Sequence, residues 1–183
     1  MGAHGTAPSS TPRVEALGSR YFRYMGRKPG RTPGFSCKMR RVSVQVARIS
    51  PFELEAARAI RRAVFVEEQG VPAELERDGL DGEAEHYLAR VGERPVGTAR
   101  ARPTAKGWKL ERVAVIRAER RSGIGLALVR HVLEHAPADA VVYVHAQESA
   151  LGFWLRAGFV VEGASFEEAG IVHRWMRLDR AEG

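Results

Sequence analysis

Residues 111–133, ERVAVIRAERRSGIGLALVRHVL, decide how this 183-residue chain reads. Val113 and Val115 alternate around Ala114, the period-two pattern of a strand. A charged turn follows, then Arg120-Arg121-Ser122-Gly123-Ile124-Gly125. Leu126, Val129 and Leu133 recur at helical spacing, so a helix begins at the glycines. A strand-to-helix junction of this kind presents unsatisfied backbone N–H groups and the positive end of the helix dipole. Glycine removes side chains where a ligand can approach the backbone, and two arginines add formal charge. Such a terminus binds phosphate. An ordinary helix start with a solvated basic turn has the same composition; the spacing Arg120-x-x-Gly123-x-Gly125 is what favours a ligand. A Walker loop is excluded, because Leu126 and Ala127 stand where its Lys-Ser or Lys-Thr pair belongs. A dinucleotide fingerprint is excluded by Leu128, where a third small residue is required.

Outward from this stretch the elements alternate. Val42, Val44 and Val46 predict a half-buried first strand. Ser50-Pro51-Phe52-Glu53 is a capping box with proline at the first helical position. Its helix carries Phe52, Ala56, Ile60, Ala63 and Val64 on the apolar side and runs to about Phe65. Gly70-Val71-Pro72 ends it, and a short second helix is expected over 72–77. Strands are predicted over 86–91, 96–102 and 108–115, and the apolar run 141–144 reads as a buried one. Ser149 is expected to cap a short helix that Gly158 ends. Strands over 159–162 and 171–178 close the order β-α-α-β-β-β-α-β-α-β-β.

The Arg120-x-x-Gly123-x-Gly125 spacing resembles the acyl-CoA-binding motif of the GNAT N-acetyltransferase superfamily. Residues 62–72, RAVFVEEQGVP, resemble the RxVFVxEQGVP signature of one acyltransferase subgroup. Residues 153–159, FWLRAGF, resemble the late FYxKxGF block, and residues 168–173, EAGIVH, are similar to that subgroup's EAGIPH segment. The four matches occur in order, and the resemblance covers roughly residues 41–178. The resemblance implies an α/β fold (mixed α+β), the GNAT fold, with a splayed mixed central sheet flanked by helices. The sheet would part between the Val113 and Val142 strands, with the pantetheine arm in the gap.

It also implies an N-acetyltransferase that uses acetyl-CoA as co-substrate and a small-molecule or peptide amine as acceptor. Transfer would be direct, in a ternary complex, through proximity and stabilisation of the oxyanion and leaving thiolate. By motif, backbone groups of Val113 and Val115 would hold the pantetheine. The N–H groups of Arg121, Ser122, Gly123, Ile124, Gly125 and Leu126 would hold the pyrophosphate, with Arg120 beside them. Gln147 and Phe153 would border the cofactor. Phe65, Glu68, Gln69 and His173 are expected to bind the acceptor. Glu111, opening the central strand, and His86, following an acidic loop, are the two candidate general bases. An ordinary strand-edge glutamate and a hydrogen-bonded structural histidine are the plainer readings of those two. Trp154 stands where many members of the superfamily carry a tyrosine. An indole N–H donates a hydrogen bond but cannot hand over a proton. That departure favours a second reading, an acyl-CoA-binding sensor that does not turn over.

Composition bounds the rest. The net charge of +7 invites a nucleic-acid partner. Yet residues 1–41 hold nine lysines and arginines against one acid, Glu15, so they carry +8 and the remainder −1. The expected organisation is a disordered basic leader over 1–40 and one catalytic domain over 41–180, with Met39 as an alternative start. Myristoylation at Gly2 and an organelle transit peptide both need a eukaryotic host and are not adopted. The only cysteine, Cys37, excludes an intrachain disulfide and a Cys₄ metal site. No metal, no nucleic acid and no membrane are expected, a homodimer is compatible, and the expected location is cytoplasmic.

Overall fold

The computed structural model describes residues 43–180. Expectations about the leader, including Cys37, Met39 and Val42, lie outside them. Seven strands form one sheet in the order β1-β2-β3-β4-β5-β7-β6. They are β1 (Val44–Arg48), β2 (Glu85–Val91), β3 (Arg94–Thr104), β4 (Gly107–Val115), β5 (Val142–Gln147), β6 (Phe159–Glu168) and β7 (Ile171–Leu178). Every pairing is antiparallel except β4 with β5, which is parallel. The helices are α1 (Leu54–Arg61), α2 (Ala73–Glu76), α3 (Ile124–His135) and α4 (Leu151–Arg156). This is the mixed α/β class and the element order expected. Among these residues no helix is long and apolar enough to cross a membrane.

Several local expectations are corrected. The capping box is present, with Ser50 N–H and hydroxyl both donating to Glu53 at 3.2 Å. It opens a 3₁₀ turn, Pro51–Glu53, before α1 begins, and this turn leaves Phe52 98% exposed instead of on the buried stripe. Beyond α1 the helix does not stop at Phe65. It continues as a π-helical segment, Arg62–Glu68, closed by Gln69 N–H to the Val64 carbonyl. Ser149 caps nothing, because it lies inside a 3₁₀ turn, Glu148–Ala150, that leads into α4. β6 runs six residues past its predicted end, since its pairing with β7 shifts register between Glu162 and Ser165. Gly163 and Ala164 are the extra residues of a bulge at that shift.

The main core lies between α3 and the sheet, with Leu128, Val129 and Val132 against Tyr87, Val96 and Leu110. Helix α3 sits close because Gly97 on β3 has no side chain. A Cβ there would stand 2.9 Å from Leu128 Cδ1 and 3.2 Å from Ile124 Cγ2. On the other side of the sheet, Ala57, Ile60 and Val64 pack on Leu88 and Ala114.

That second layer contains charge. Arg61 and Arg100 are both 0% exposed. Asp81 accepts from Arg58 Nε at 3.0 Å, Arg61 Nη1 at 2.8 Å and Arg100 Nη1 at 2.9 Å. Arg61 also donates to Glu76, and Arg100 also bonds Asp78 Oδ1 at 2.8 Å and pairs with Glu111 Oε1 at 2.8 Å. Burial alone would raise both aspartate pKas. Arg61, Arg58 and Arg100 outweigh it at Asp81, which lies well below the usual carboxylate range. Arg100, the Leu80 N–H and Arg112 outweigh it at Asp78, which is lowered to about 2.

An unfolded aspartate titrates near about 3.9. As pH falls through that value the unfolded chain takes up protons that the folded carboxylates refuse, so this contribution to stability is full above about pH 5 and lost progressively below about pH 4. Asp81→Asn leaves buried guanidinium charge uncompensated. It should cost about 3–5 kcal/mol at pH 7, a fall in Tm of roughly 6–20 °C for a chain of this size. Thermal unfolding from pH 7 to pH 3 checks both; an unchanged Tm in the variant would show that the cluster does not hold the fold.

Candidate active site

β4 and β5 are bonded at only two positions, Trp108 opposite Val142 and Lys109 opposite Tyr143. Above them the strands part, and a bulge helps to part them. Thr98 pairs with Ala114 and Arg100 with Glu111, so Ala99 alone opposes both Arg112 and Val113. Arg112 takes up the extra length with φ 53°, in the left-handed region. The gap is a cavity of about 520 Å³. One wall is β4 from Glu111 to Val115; the other is β5 with His145 and Gln147. Phe65 and Gln69 roof it from the π-helical segment, His173 and Glu168 come from the β6–β7 hairpin, and Trp154 from α4.

Past the open end of β4 the chain makes a 3₁₀ turn, Arg117–Glu119, and enters α3 through Gly123 at φ 88°. Arg121 is also left-handed, at φ 64°. Alternation of this kind turns successive N–H groups to one side, the geometry of an anion nest. Ser122 is held by its hydroxyl, which donates to the Glu119 carbonyl at 2.5 Å. Gly125 faces Phe153, whose ring would lie 3.0 Å from a Cβ there. Ile124 is buried in the core, so only its backbone faces the loop, while Leu126 is half-buried. Arg120 is fully engaged: Nε donates to the Val115 carbonyl at 2.9 Å, and Nη1 and Nη2 grip Glu68 at 2.6 and 2.7 Å. The residue expected beside phosphate instead ties the helix roof to the loop.

At the opposite end, Glu111 lines the cavity but shares its carboxylate among Arg102 at 2.8 Å, Arg100 at 2.8 Å and Lys109 at 3.2 Å. Burial raises its pKa, and the three cations overcome that and lower it. His86 is not brought to the cavity. It is 7% exposed beneath the ion cluster, with Nε2 3.0 Å from the Asp81 carbonyl. Burial lowers its pKa more than Asp81 raises it. His173 donates Nδ1–H to the Ile171 carbonyl at 2.8 Å, and Gln69 accepts from Gln147 Nε2 at 2.9 Å across the opening.

Sequence reasoning missed His145. It lies in an apolar strand that reads as core, and its Nδ1 stands 2.7 Å from Glu168 Oε2. That contact and burial act oppositely on Glu168, and the His145 hydrogen bond dominates, bringing its pKa to about 2. Another histidine pair was also passed over. His131 and His135 stand one turn apart on α3 with ring centroids 4.6 Å apart, a metal-chelating spacing, but they line no part of the cavity. Among the described residues no three His, Cys, Asp or Glu groups converge as a metal site would need. Trp154 is 7% exposed and packs edge-to-face on Phe153 and Phe159, with centroids 5.0 and 5.1 Å away, so it belongs to the core as well as to the cavity wall.

Comparison with known proteins agrees with this architecture. The acetyltransferase (GNAT) domain family matches residues 46–180. The uncharacterized N-acetyltransferase YjcF of Bacillus subtilis (strain 168) is 39% identical over 131 residues, 69% of this chain and 93% of that one. An acyl-CoA N-acyltransferase from Pseudomonas aeruginosa superposes with TM-score 0.66 at 29% identity, covering 75% of this chain and all of the other. ElaA of Escherichia coli does so with TM-score 0.64 at 30% identity, again over 75% and 100%. The chain belongs to the GNAT N-acetyltransferase family.

Proposed function

We propose that the protein moves the acetyl group of acetyl-CoA directly to the amine of a small molecule or peptide, both bound at once. The observation that carries this reading is the parted sheet: one cavity runs along the β4 wall, from Arg120 just ahead of the α3 loop to a polar pocket under the π-helical roof. A bulge leaves a strand residue without a ladder partner, so the β4 backbone near Arg112 and Val113 is available to the amides and thioester of a pantetheine arm. In this reading the backbone groups of Val113 and Val115 hold the pantetheine. The loop from Arg121 to Leu126 supplies N–H groups at a helix start, the usual place for phosphate. Among the described residues no serine, threonine, cysteine or tyrosine lines the cavity. Hydroxyls and thiols are the usual carriers of an acyl-enzyme, so direct attack by the acceptor is the reading that fits the lining.

The acceptor end is the polar pocket between Phe65, Gln69 and His173. Glu111 lines that end as a structural carboxylate, its charge already met by Arg100, Arg102 and Lys109. Shared among three cations, it is a weak proton acceptor. Trp154 keeps the binding-only reading distinct, since it offers no transferable proton to the departing thiolate. Release of free thiol from acetyl-CoA across a panel of polyamines, amino acids, aminoglycosides and lysine peptides separates the two. Acyl-dependent turnover with any amine rules out a silent module.

Acetyl-CoA at about 100 times its Kd should stabilise the fold by roughly 2.7 kcal/mol, a rise in Tm of roughly 5–10 °C. Arg121→Glu places a carboxylate at an exposed loop position. It should leave the Tm of the free protein within error and weaken CoA about tenfold or more, equivalent to about 1.4 kcal/mol or more. An unchanged CoA affinity would mean the pyrophosphate binds elsewhere. Trp154→Tyr introduces a phenol with a pKa near about 10 in place of a packed indole. Steady-state rates should show a higher kcat with an acetyl-CoA KM within about twofold, and the Tm should fall by a few degrees as the smaller ring leaves space. A lower kcat would mean that the indole positions substrate and that protonation comes from water.

A further inference from the structure

We propose that His145, oriented by Glu168, is the general base that takes the proton from the acceptor ammonium. The proposal rests on the acetyl-transfer reading above and deepens it at the same cavity.

The placement follows from the sheet. Lys109 and Tyr143 form the last bonded pair between β4 and β5. Side chains alternate along a strand, so the next residue on each strand facing the same way is Glu111 or His145. Both line the cavity. His145 therefore stands on the far wall at the level where the strands separate, across the cavity from Glu111. A base belongs where acceptor nitrogen and thioester meet, and this is the level at which the pantetheine gap opens into the polar pocket.

The tautomer follows from the partner. Glu168 is ionised across the working pH range and can only accept, so Nδ1 of His145 carries the proton given to Oε2 at 2.7 Å. Nε2 is then left with its lone pair, and it has no protein partner among the described residues. The ring is fixed by the edge of Phe166 at 4.9 Å and by Tyr143 at 5.8 Å. Glu168 is itself fixed as the last residue of β6, where it pairs with Ile171 across the two-residue turn Ala169-Gly170. Its carboxylate stabilises the imidazolium that forms, as a base–orienter pair requires. The charged and titratable groups that share the cavity with this ring are Glu168 from β6, Lys109, Glu111 and Arg112 from β4, His173 from β7, Arg102 from β3, and Glu76, Asp78 and Arg120 from the surrounding helix and loops. Lys109 and Arg102 are already paired with Glu111. His173 is the other cavity histidine and also lies within the field of Glu168, but its Nδ1 is committed to a backbone carbonyl, whereas Glu168 makes its hydrogen bond to His145.

The chemistry balances. An alkylammonium has a pKa near about 10.4, so about one molecule in a thousand is neutral at pH 7.4. His145 Nε2 takes one proton. The freed lone pair forms the C–N bond and the carbonyl becomes an oxyanion. Collapse breaks the C–S bond and expels the thiolate, which takes the second nitrogen proton to become the thiol. The imidazolium returns its proton to solvent. One ammonium and one thioester give one amide, one thiol and one proton.

The test is the pH dependence of kcat/KM for wild type, His145→Gln, Glu168→Gln and His173→Gln, with CoA affinity and Tm measured on each. His145→Gln should lose about 10²–10⁴-fold at pH 7 and keep CoA affinity within about threefold. Its deficit should shrink as pH approaches the pKa of the acceptor. Glu168→Gln should lose less and move the acidic limb to lower pH, because the imidazolium has lost its counter-charge. His173→Gln should change KM for the acceptor and leave the limb in place. The same downward shift should appear in the His145 imidazole titration of Glu168→Gln followed by NMR, a reading that needs no turnover. Wild-type-like activity with an unmoved limb in His145→Gln overturns the proposal, as does a limb that follows His173. An unmoved His145 titration in Glu168→Gln removes the orienting role. If wild type binds acetyl-CoA but releases no thiol with any amine, the acetyl-transfer reading itself fails and this proposal falls with it.

Discussion

Asp81 collects three guanidinium groups from two elements, and the cavity depends on that contact. Arg58 and Arg61 arrive from α1 and Arg100 from β3. A sheet that parts in its middle gives up ladder bonds just where its outer half must still be held. Between β3 and the α1 side, charge does that holding. Through Asp78, Glu76 and Glu111 the same cluster reaches the β4 wall, where Arg112 also donates to the Leu75 carbonyl at 2.9 Å. Buried ion pairs are a weak source of net stability, since desolvation offsets much of their attraction. Their value here is geometric: a guanidinium tolerates few arrangements of its carboxylates, so the roof is fixed relative to β4.

At the other end a close backbone approach fixes the parting strands. Trp108 N–H donates to the Val141 carbonyl at 2.8 Å, and a Cβ on Gly107 would stand 2.2 Å from that same oxygen. Only glycine lets β4 and the chain entering β5 come together there. The two strands are pinned at their base, bent by the Arg112 bulge, and free above Lys109. Arg120, reaching from the α3 loop to Glu68, then joins the two rims of the opening.

What was legible in the sequence was what depends on near neighbours. The strand–glycine–helix junction, the capping box and the order of elements all rest on residues a few positions apart. The π-helical segment was not legible, because RAVFVEE has an ordinary helical pattern and its wider turn depends on what it packs against. The β6 bulge hid behind Gly163 for the same reason. Nothing local marks Arg61 and Arg100 as buried, because Asp81, which closes on both, lies 20 and 19 residues away. His86 and His145 present the same problem. Each is a histidine in a strand, and only the strand order sets one beneath the ion cluster and the other beside the opening. A candidate base could therefore be chosen by residue type but not by place.

Three residues other than glycine adopt left-handed backbone angles among those described: Arg112 at φ 53°, Arg121 at 64° and Ala169 at 54°. Each such residue costs about 1–3 kcal/mol and persists only where its surroundings over-determine it. All three border the site. Arg112 makes the bulge that bends β4, Arg121 turns the loop in front of α3, and Ala169 with Gly170 forms a turn with both central residues at positive φ, the tightest way to join two twisted strands. Asparagine or glycine would adopt the Ala169 angle more readily. Ala169 accepts the strain, and the tight turn holds Glu168 and Ile171 in register, which sets the carboxylate against His145. The strained residues thus border the gap between β4 and β5 without all lying in it, and the buried charge between β3 and α1 holds the surrounding frame.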